Sequence, residues 1–162
     1  MFSMLQMPWV RRAREIVSSG RIGDLLGLHC DLLFAKGSAG SADLSRPREE
    51  AYPPRRFTFI DSKRELFTTG VYSIGLMRWL SGRNVRRVYA QTSNYFFEQH
   101  QANNVEDFSV ATLEFEGGLV GTITGGRIGW LSHPIFGPAR VHLIGTGGSW
   151  MVDASEPRLE IS

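Results

Sequence analysis

The sequence has 162 residues, of which 42% are apolar and 21% charged, and its formal net charge is +2. This length and composition are those of a globular chain that buries a core, and they exclude a disordered or fibrous protein. The basic residues are almost all arginines, and they are spread along the chain instead of forming the concentrated stripe that binds nucleic acid. The single cysteine, Cys30, excludes an internal disulfide and is expected to be a small buried hydrophobic residue.

Two features of the sequence bear on the cellular compartment. No apolar run reaches the roughly 20 residues that a membrane-spanning helix requires. At the N-terminus the basic residues Arg11 and Arg12 follow the apolar residues, whereas a signal peptide has the opposite order. The sequence therefore predicts a cytoplasmic protein without membrane contact.

The first predicted helix begins at Pro8, because proline fits the first turn of a helix, and it ends at Ser18 to Gly20. A tight turn then leads into a predicted strand from Leu25 to Lys36. Alternation along this strand places one set of side chains on a common face: Leu26, Leu28, Cys30, Leu32 and Phe34.

His29 and Asp31 lie on the other face of this strand, two residues apart. Two metal ligands can use such a spacing, but no third ligand is evident. We therefore expect both side chains to face solvent or a subunit interface, and no metal site is predicted.

The segment from Gly37 to Phe57 is rich in Gly, Ser, Ala, Pro and charged residues, and its prolines forbid regular structure. We expect a flexible loop, and a loop of this length in a compact domain is usually functional or disordered. Arg55 and Arg56 within it, and Lys63 and Arg64 just after it, are candidates to bind a carboxylate, phosphate or sugar hydroxyl of a substrate. Simple solvation is the alternative for such charges.

The stretch from Leu66 to Gly82 predicts a helix with dense apolar content, and such a helix is usually buried. Thr69 is the expected N-cap for a start at Gly70, and Gly82 is the expected stop. If the helix includes Thr68, then Thr68 and Tyr72 share one face near its positive end. That face could hold a substrate oxygen; alternatively, Tyr72 belongs to a core helix and its hydroxyl caps a carbonyl.

The second half of the sequence predicts strands joined by hairpins. The turn at Glu116–Gly118 joins two of them, and a G-T-G-G turn joins another pair. This second turn is not a dinucleotide fingerprint, because Trp150 occupies the place of the third glycine and a strand follows. The predicted strands are Val85–Tyr95, Phe108–Phe115, Leu119–Gly125, Ala139–Ile144 and Ser149–Val152, with a loop from Phe96 to Asn104.

Three segments together resemble the C-terminal domain of the Gfo/Idh/MocA oxidoreductases, particularly the glucose–fructose oxidoreductase and dihydrodiol dehydrogenase branch. The first is the opening helix followed by S-G-x-I-G and a strand. The second is the helix in which Gly70 and Tyr72 match G-x-Y, with Arg78, Trp79, Leu80 and Gly82 at its end. The third runs from Glu106 to Ile123, and the whole resemblance covers Val10 to Asp153.

The resemblance implies that Tyr72 transfers a proton to or from the substrate. Thr68 stands where the family usually has Asp, so it could orient a substrate hydroxyl but could not act as a base. The implied parent is a two-domain enzyme that uses NAD or NADP and acts on a sugar, polyol or related alcohol. Its Rossmann unit and E-K-P segment do not occur in the 162 residues.

Residues 1–162 are therefore expected to form a single α+β domain, with a largely antiparallel open sheet and helices on one face. The free face of the sheet is expected to mediate homo-oligomerisation. Two function classes remain: the substrate-binding and oligomerisation domain of an oxidoreductase, or a non-catalytic assembly or ligand-binding module. In both cases we expect this chain alone to hold no cofactor and to be inactive as a dehydrogenase.

Overall fold

The computed structural model describes residues 3–35, 65–128, 139–153 and 158–161. The predicted flexible loop and the predicted substrate contacts Arg56, Lys63 and Arg64 lie outside these ranges, so they stay predictions. The described helices are α1 (Pro8–Ser18), α2 (Glu65–Thr68), α3 (Gly70–Ser81) and α4 (Glu98–Ala102). The described strands are β1 (Leu25–Ala35), β2 (Val85–Ser93), β3 (Phe108–Phe115), β4 (Val120–Ile128), β5 (Ala139–Gly145), β6 (Gly148–Asp153) and β7 (Arg158–Ile161).

These strands form one open sheet in the order β2-β3-β4-β1-β5-β6-β7. Every neighbouring pair is antiparallel except β1 and β4, which run parallel in the middle of the sheet. Helix α3 packs against β1 and β4, and α1 packs against α3. The predicted α+β class and open, largely antiparallel sheet are thus confirmed.

The core lies between the helices and one face of the sheet. Strict alternation along β3 brings Ala111, Leu113 and Phe115 to that face, where α3 contributes Leu76, Met77 and Leu80. Gly121 permits the close approach of these layers, because an added Cβ would lie 2.8 Å from Phe115 and 3.1 Å from the sulfur of Met77. The fully buried large side chains include Leu28, Leu113, Phe115, Leu119, Ile123, Leu143 and Trp150.

The predicted helix start at Pro8 and both predicted hairpins are confirmed. Three predictions differ from the structure. A register shift between Leu25 and Gly27 turns Leu26 outward, so that it is 52% exposed and does not share the buried face of Leu28 and Cys30. The segment predicted as a loop from Phe96 to Asn104 contains the short helix α4, and β7 has no predicted counterpart. None of the described helices combines the length and apolarity needed to cross a membrane.

Candidate functional site

Helix α3 has the predicted limits. It begins at Gly70, and Gly82 closes it in the left-handed conformation with φ of 68°. Thr69 separates α2 from α3: its backbone is helical, its side chain makes no capping hydrogen bond, and its carbonyl accepts a 3.0 Å hydrogen bond from the Tyr72 N–H. Thr69 thus occupies the predicted N-cap position, and the predicted helix start is correct, but its side chain does not cap the helix.

The outward side of the first turn of α3 is accessible, whereas the inner face of the helix is buried. Ser73 and the three core residues of α3 lie inside, but Val71 is 43% exposed and Tyr72 is 41% exposed. Just before the break, Phe67 in α2 is 64% exposed and Thr68 is half-buried. The prediction of a helix buried on most sides is therefore wrong at this end, where Tyr72 is partly exposed.

Beneath this end of α3, β4 carries a glycine where two hydroxyl groups converge. The Ser109 hydroxyl donates a 3.0 Å hydrogen bond to the carbonyl of Gly125. A Cβ added at Gly125 would lie 3.5 Å from Oγ1 of Thr69 and 3.6 Å from Oγ of Ser109. Both hydroxyl groups therefore lie close to Gly125, at distances that an ordinary Cβ contact would also allow.

Arg127 was not predicted as part of any site. It lies two residues beyond Gly125 in β4, on the same face of the sheet, and only 6% of it is exposed. A buried guanidinium needs hydrogen-bond partners, and it is well suited to hold an anion or a hydroxyl group. In the sequence, Arg127 follows two glycines, as a residue at the exposed end of a strand would, so no local pattern identifies it as buried.

Helix α3 is tied to the sheet by a polar contact. The Cys30 thiol in β1 donates a 3.3 Å hydrogen bond to the hydroxyl of Ser73. Burial raises the pKa of Cys30 to about 11, although the hydrogen bond to Ser73 acts in the opposite direction. The expectation of a buried, small hydrophobic cysteine is confirmed, and this thiol is not a nucleophile at neutral pH.

A second buried polar cluster organises the segment before α4. The Asp107 carboxylate accepts hydrogen bonds from three consecutive backbone N–H groups, those of Tyr95, Phe96 and Phe97, at 2.8, 2.7 and 3.1 Å. The pKa of Asp107 is raised above its ordinary value by burial, and these hydrogen bonds and the neighbouring His100 offset part of that rise. The cluster fixes the chain between β2 and α4, so we assign it a structural role.

On the open face of the sheet, His29 of β1 stands directly opposite His142 of β5, with ring centroids 6.0 Å apart. Nδ1 of His29 is hydrogen bonded to the hydroxyl of Thr122. The pKa of His142 is lowered, mainly by burial and to a smaller extent by the nearby His29. Among the described residues, no three His, Cys, Asp or Glu side chains are arranged to hold a metal ion.

The G-T-G-G turn does not form a phosphate cradle. It joins β5 directly to β6, and the residues after it continue as a strand instead of starting a helix. The Gly147 N–H donates to the carbonyl of Ile22, and the Thr146 N–H donates to the carbonyl of Asp24. These groups therefore serve the protein's own packing in this turn.

The sequence matches the model of one known protein family. The model of the GFO/IDH/MocA C-terminal domain matches residues 10–151. The chain belongs to this family. No curated protein matches the chain in sequence.

Solved structures share the fold of this GFO/IDH/MocA domain. They include myo-inositol 2-dehydrogenase from Lactobacillus plantarum, with a TM-score of 0.72, 22% identity, and coverage of 94% of this chain and 40% of that one. A probable dehydrogenase from Thermotoga maritima matches with a TM-score of 0.72, 20% identity, and coverage of 94% and 40%. A scyllo-inositol dehydrogenase from Lactobacillus casei, solved with NAD(H) and scyllo-inositol, matches with a TM-score of 0.68, 17% identity, and coverage of 97% and 42%.

At these identities the likeness establishes the fold, and the chain spans less than half the length of each of these proteins.

Proposed function

We propose that this chain is the substrate-binding and oligomerisation domain of an NAD(P)-dependent oxidoreductase that acts in the cytoplasm on a sugar, polyol or related alcohol or carbonyl. The observation that carries the proposal is the position of Tyr72. In a chain of the GFO/IDH/MocA family, it lies at the accessible first turn of a helix whose remaining inner face is buried. The inositol dehydrogenases among the structural neighbours support a polyol as the substrate class.

Tyr72 is proposed to donate a proton to the substrate carbonyl oxygen in the reductive direction. A phenol is protonated at neutral pH, and an acid within hydrogen-bond reach of the reacting oxygen is what this chemistry needs. In the oxidative direction Tyr72 is proposed to take the proton from the substrate hydroxyl with the help of a cation; Lys63 is one candidate, and the lysine of the family's E-K-P segment is the one that the resemblance implies.

The remaining proposed contacts hold the substrate. Thr68, at the end of α2, is proposed to orient a substrate hydroxyl, and Arg56, Lys63 and Arg64 to bind its other oxygens. NAD or NADP is proposed to be held by a different part of the full-length protein, where it would supply the hydride.

The open face of the sheet is proposed to pair with the same face of a second copy. Val110 and Val120 on this face are 42% and 43% exposed, and Tyr89 is 71% exposed. A sheet face with exposed apolar side chains is a common site of association, and a C2 dimer is the default symmetry.

A specific residue favours the second candidate function, a non-catalytic assembly or ligand-binding module. Thr68 stands where the family motif that this sequence resembles usually has Asp, and a hydroxyl cannot replace a carboxylate as a base. In that case Tyr72 would be a ligand-binding or packing residue only.

The full-length protein separates the two candidates. We expect it to oxidise or reduce members of a panel of inositols and sugars with NAD or NADP, and we expect Thr68→Asp to raise turnover. Thr68→Asn is the matched control, because it adds similar bulk without a base. No turnover with any member of the panel, before or after Thr68→Asp, would favour the non-catalytic module.

The 162-residue chain itself is proposed to bind no cofactor usefully. Isothermal titration of this chain with NAD and with NADP should give no saturable heat in the micromolar range. Low-micromolar binding would contradict the proposed division of labour between this domain and the rest of the enzyme.

A further inference from the structure

A small cavity lies between helix α1, the turn that follows it and the β5–β6 hairpin. Its volume is about 110 Å³, several times the roughly 10–15 Å³ that a single water molecule needs. The cavity shares no residue with the proposed substrate contacts. The side chains that border it include Arg12 and Ile16 of α1, Arg21 and Ile22 of the turn, and Ser149 and Trp150 of β6.

The indole of Trp150 forms part of the wall of this cavity and carries an unpartnered donor. Trp150 is 1% exposed, and its Nε1 has no hydrogen-bond acceptor among the described residues. An indole N–H can only donate, and a buried donor without an acceptor is unfavourable. An acceptor bound in the cavity beside the ring would satisfy this N–H.

Two further side chains at the cavity, Arg12 and Arg21, are also donors only, and both are positively charged. Arg12 forms an exposed ion pair with Glu15 at 3.0 Å, and because such a pair is weak, the other N–H groups of Arg12 can serve a ligand. Arg21 forms no ion pair with any described residue. The hydroxyl of Ser149 can donate as well. A negatively charged group that only accepts hydrogen bonds matches this set.

The turn that carries Arg21 is fixed to the β5–β6 hairpin. The Thr146 N–H donates to the carbonyl of Asp24, and the Asp24 N–H donates back to the Thr146 hydroxyl at 2.9 Å. The Gly147 N–H donates to the carbonyl of Ile22. The backbone beside Arg21 is therefore already ordered, so a ligand does not have to order it. Because these N–H groups are used within the protein, side chains are left to hold the ligand.

We propose that this cavity binds a phosphate group, which accepts hydrogen bonds from the indole of Trp150 and the guanidinium groups of Arg12 and Arg21. A phosphate offers several acceptor oxygens to donors from three different elements, and the planar guanidinium fits such oxygens. The apolar side chains of Ile16 and Ile22 lower the local dielectric constant, which strengthens these contacts. Free phosphate and the phosphate of a small metabolite share this chemistry.

The indole N–H of Trp150 is a direct reporter of binding. The chain has four tryptophans, so its two-dimensional proton–nitrogen NMR spectrum contains four indole signals, and Trp150→Phe identifies one of them by its loss. On titration with sodium phosphate we expect this signal to shift saturably and further than the other three. Sodium chloride at the same ionic strength is the control for screening. An unshifted signal, or an equal shift in chloride, would overturn the inference.

Calorimetry with sodium phosphate measures the role of the arginines and does not depend on the folding of Trp150→Phe. Arg21→Gln should weaken binding roughly tenfold, because it removes hydrogen bonds from a charged donor. Arg86→Gln is the matched control: it removes the same charge from an exposed position of β2, at the other end of the sheet, and should leave the affinity unchanged. No weakening by Arg21→Gln, or equal weakening by both variants, would overturn the inference.

A second ligand separates the two sources of phosphate. Glycerol 3-phosphate carries the same group on a small organic molecule, and it is titrated in the same way. Tighter binding than that of inorganic phosphate would assign the cavity to a phosphorylated metabolite, and equal or weaker binding would assign it to free phosphate. Binding of neither would overturn the inference. The test needs no turnover, so its result is independent of the proposed dehydrogenase function.

Discussion

The thiol of Cys30 donates a hydrogen bond to the hydroxyl of Ser73 at 3.3 Å, and this contact joins the central strand β1 to helix α3. Ser73 directly follows Tyr72 in the sequence: Tyr72 is partly exposed, whereas Ser73 is buried against the sheet. The position of Tyr72 therefore depends on a helix that is fixed to the middle of the sheet by apolar packing and by this polar contact.

The first prediction concerns the reactivity of Cys30. Because burial raises the pKa of its thiol to about 11, very little thiolate is present at pH 8, and reagent access is blocked as well. A thiol-specific reagent such as DTNB should label the native chain orders of magnitude more slowly than the chain unfolded in guanidinium chloride. Equal labelling rates in the two states would show that β1 and α3 are not packed as described.

The second prediction concerns Asp107. Asp107→Asn keeps the shape of the side chain but replaces one acceptor oxygen by an NH₂ group, so either the N–H of Tyr95 or those of Phe96 and Phe97 lose their acceptor. Each buried donor left without a partner costs about 1–3 kcal/mol. Urea denaturation should show a loss of that order, whereas Glu98→Gln, at an exposed position of α4, should change stability little. Equal stability of the two variants would contradict the structural role of Asp107.

The third prediction concerns His142 and pH. Its pKa in the folded protein is lowered below the ordinary 6.5, chiefly by burial, so the unfolded chain takes up a proton at a pH where the folded chain does not. The stability that this group contributes is fully present above pH 6.5 and is lost as the pH falls through the lowered pKa. The free energy of unfolding, measured between pH 7.5 and 5, should fall less steeply for His142→Gln than for the wild type. Identical pH dependence would contradict the prediction.

The fourth prediction concerns the open face of the sheet. Val120 on this face and Val71 on α3 are equally exposed, at 43%, so they form a matched pair. If the open face self-associates, Val120→Arg should reduce the molar mass measured by light scattering, while Val71→Arg should leave it unchanged. A monodisperse monomer for the unaltered protein at high concentration would contradict the proposed association.

The parts of the fold that were predictable have local causes. Gly82 ends α3 because only glycine adopts its left-handed conformation at little cost, and the Glu116–Gly118 turn is similarly determined by its own residues. The parallel pairing of β1 with β4 and the strand order depend on contacts between distant segments, which no local pattern encodes. Helix α4 was not predicted because it is short and polar. The carboxylate that holds the chain just before it belongs to Asp107, which lies outside the helix.

The candidate site likewise contains residues that the sequence identifies and residues that only the packing of distant segments brings together. Tyr72 and Thr68 were identified by resemblance to a family motif, and the structure adds that Tyr72 is accessible. The convergence of Thr69 and Ser109 over Gly125, and the buried Arg127 beside them, arise from the packing of α3 on β4. Such neighbours are far apart in the sequence, so they could not be predicted from it.

The central claim is that Tyr72 transfers the proton in the full-length oxidoreductase, and Tyr72→Phe tests it most directly, because the variant keeps the ring and removes the hydroxyl. The account predicts that turnover falls by about 10²-fold or more, as for loss of a general acid, while the melting temperature stays the same. Unchanged turnover in Tyr72→Phe would contradict the account and leave Tyr72 with a packing role alone.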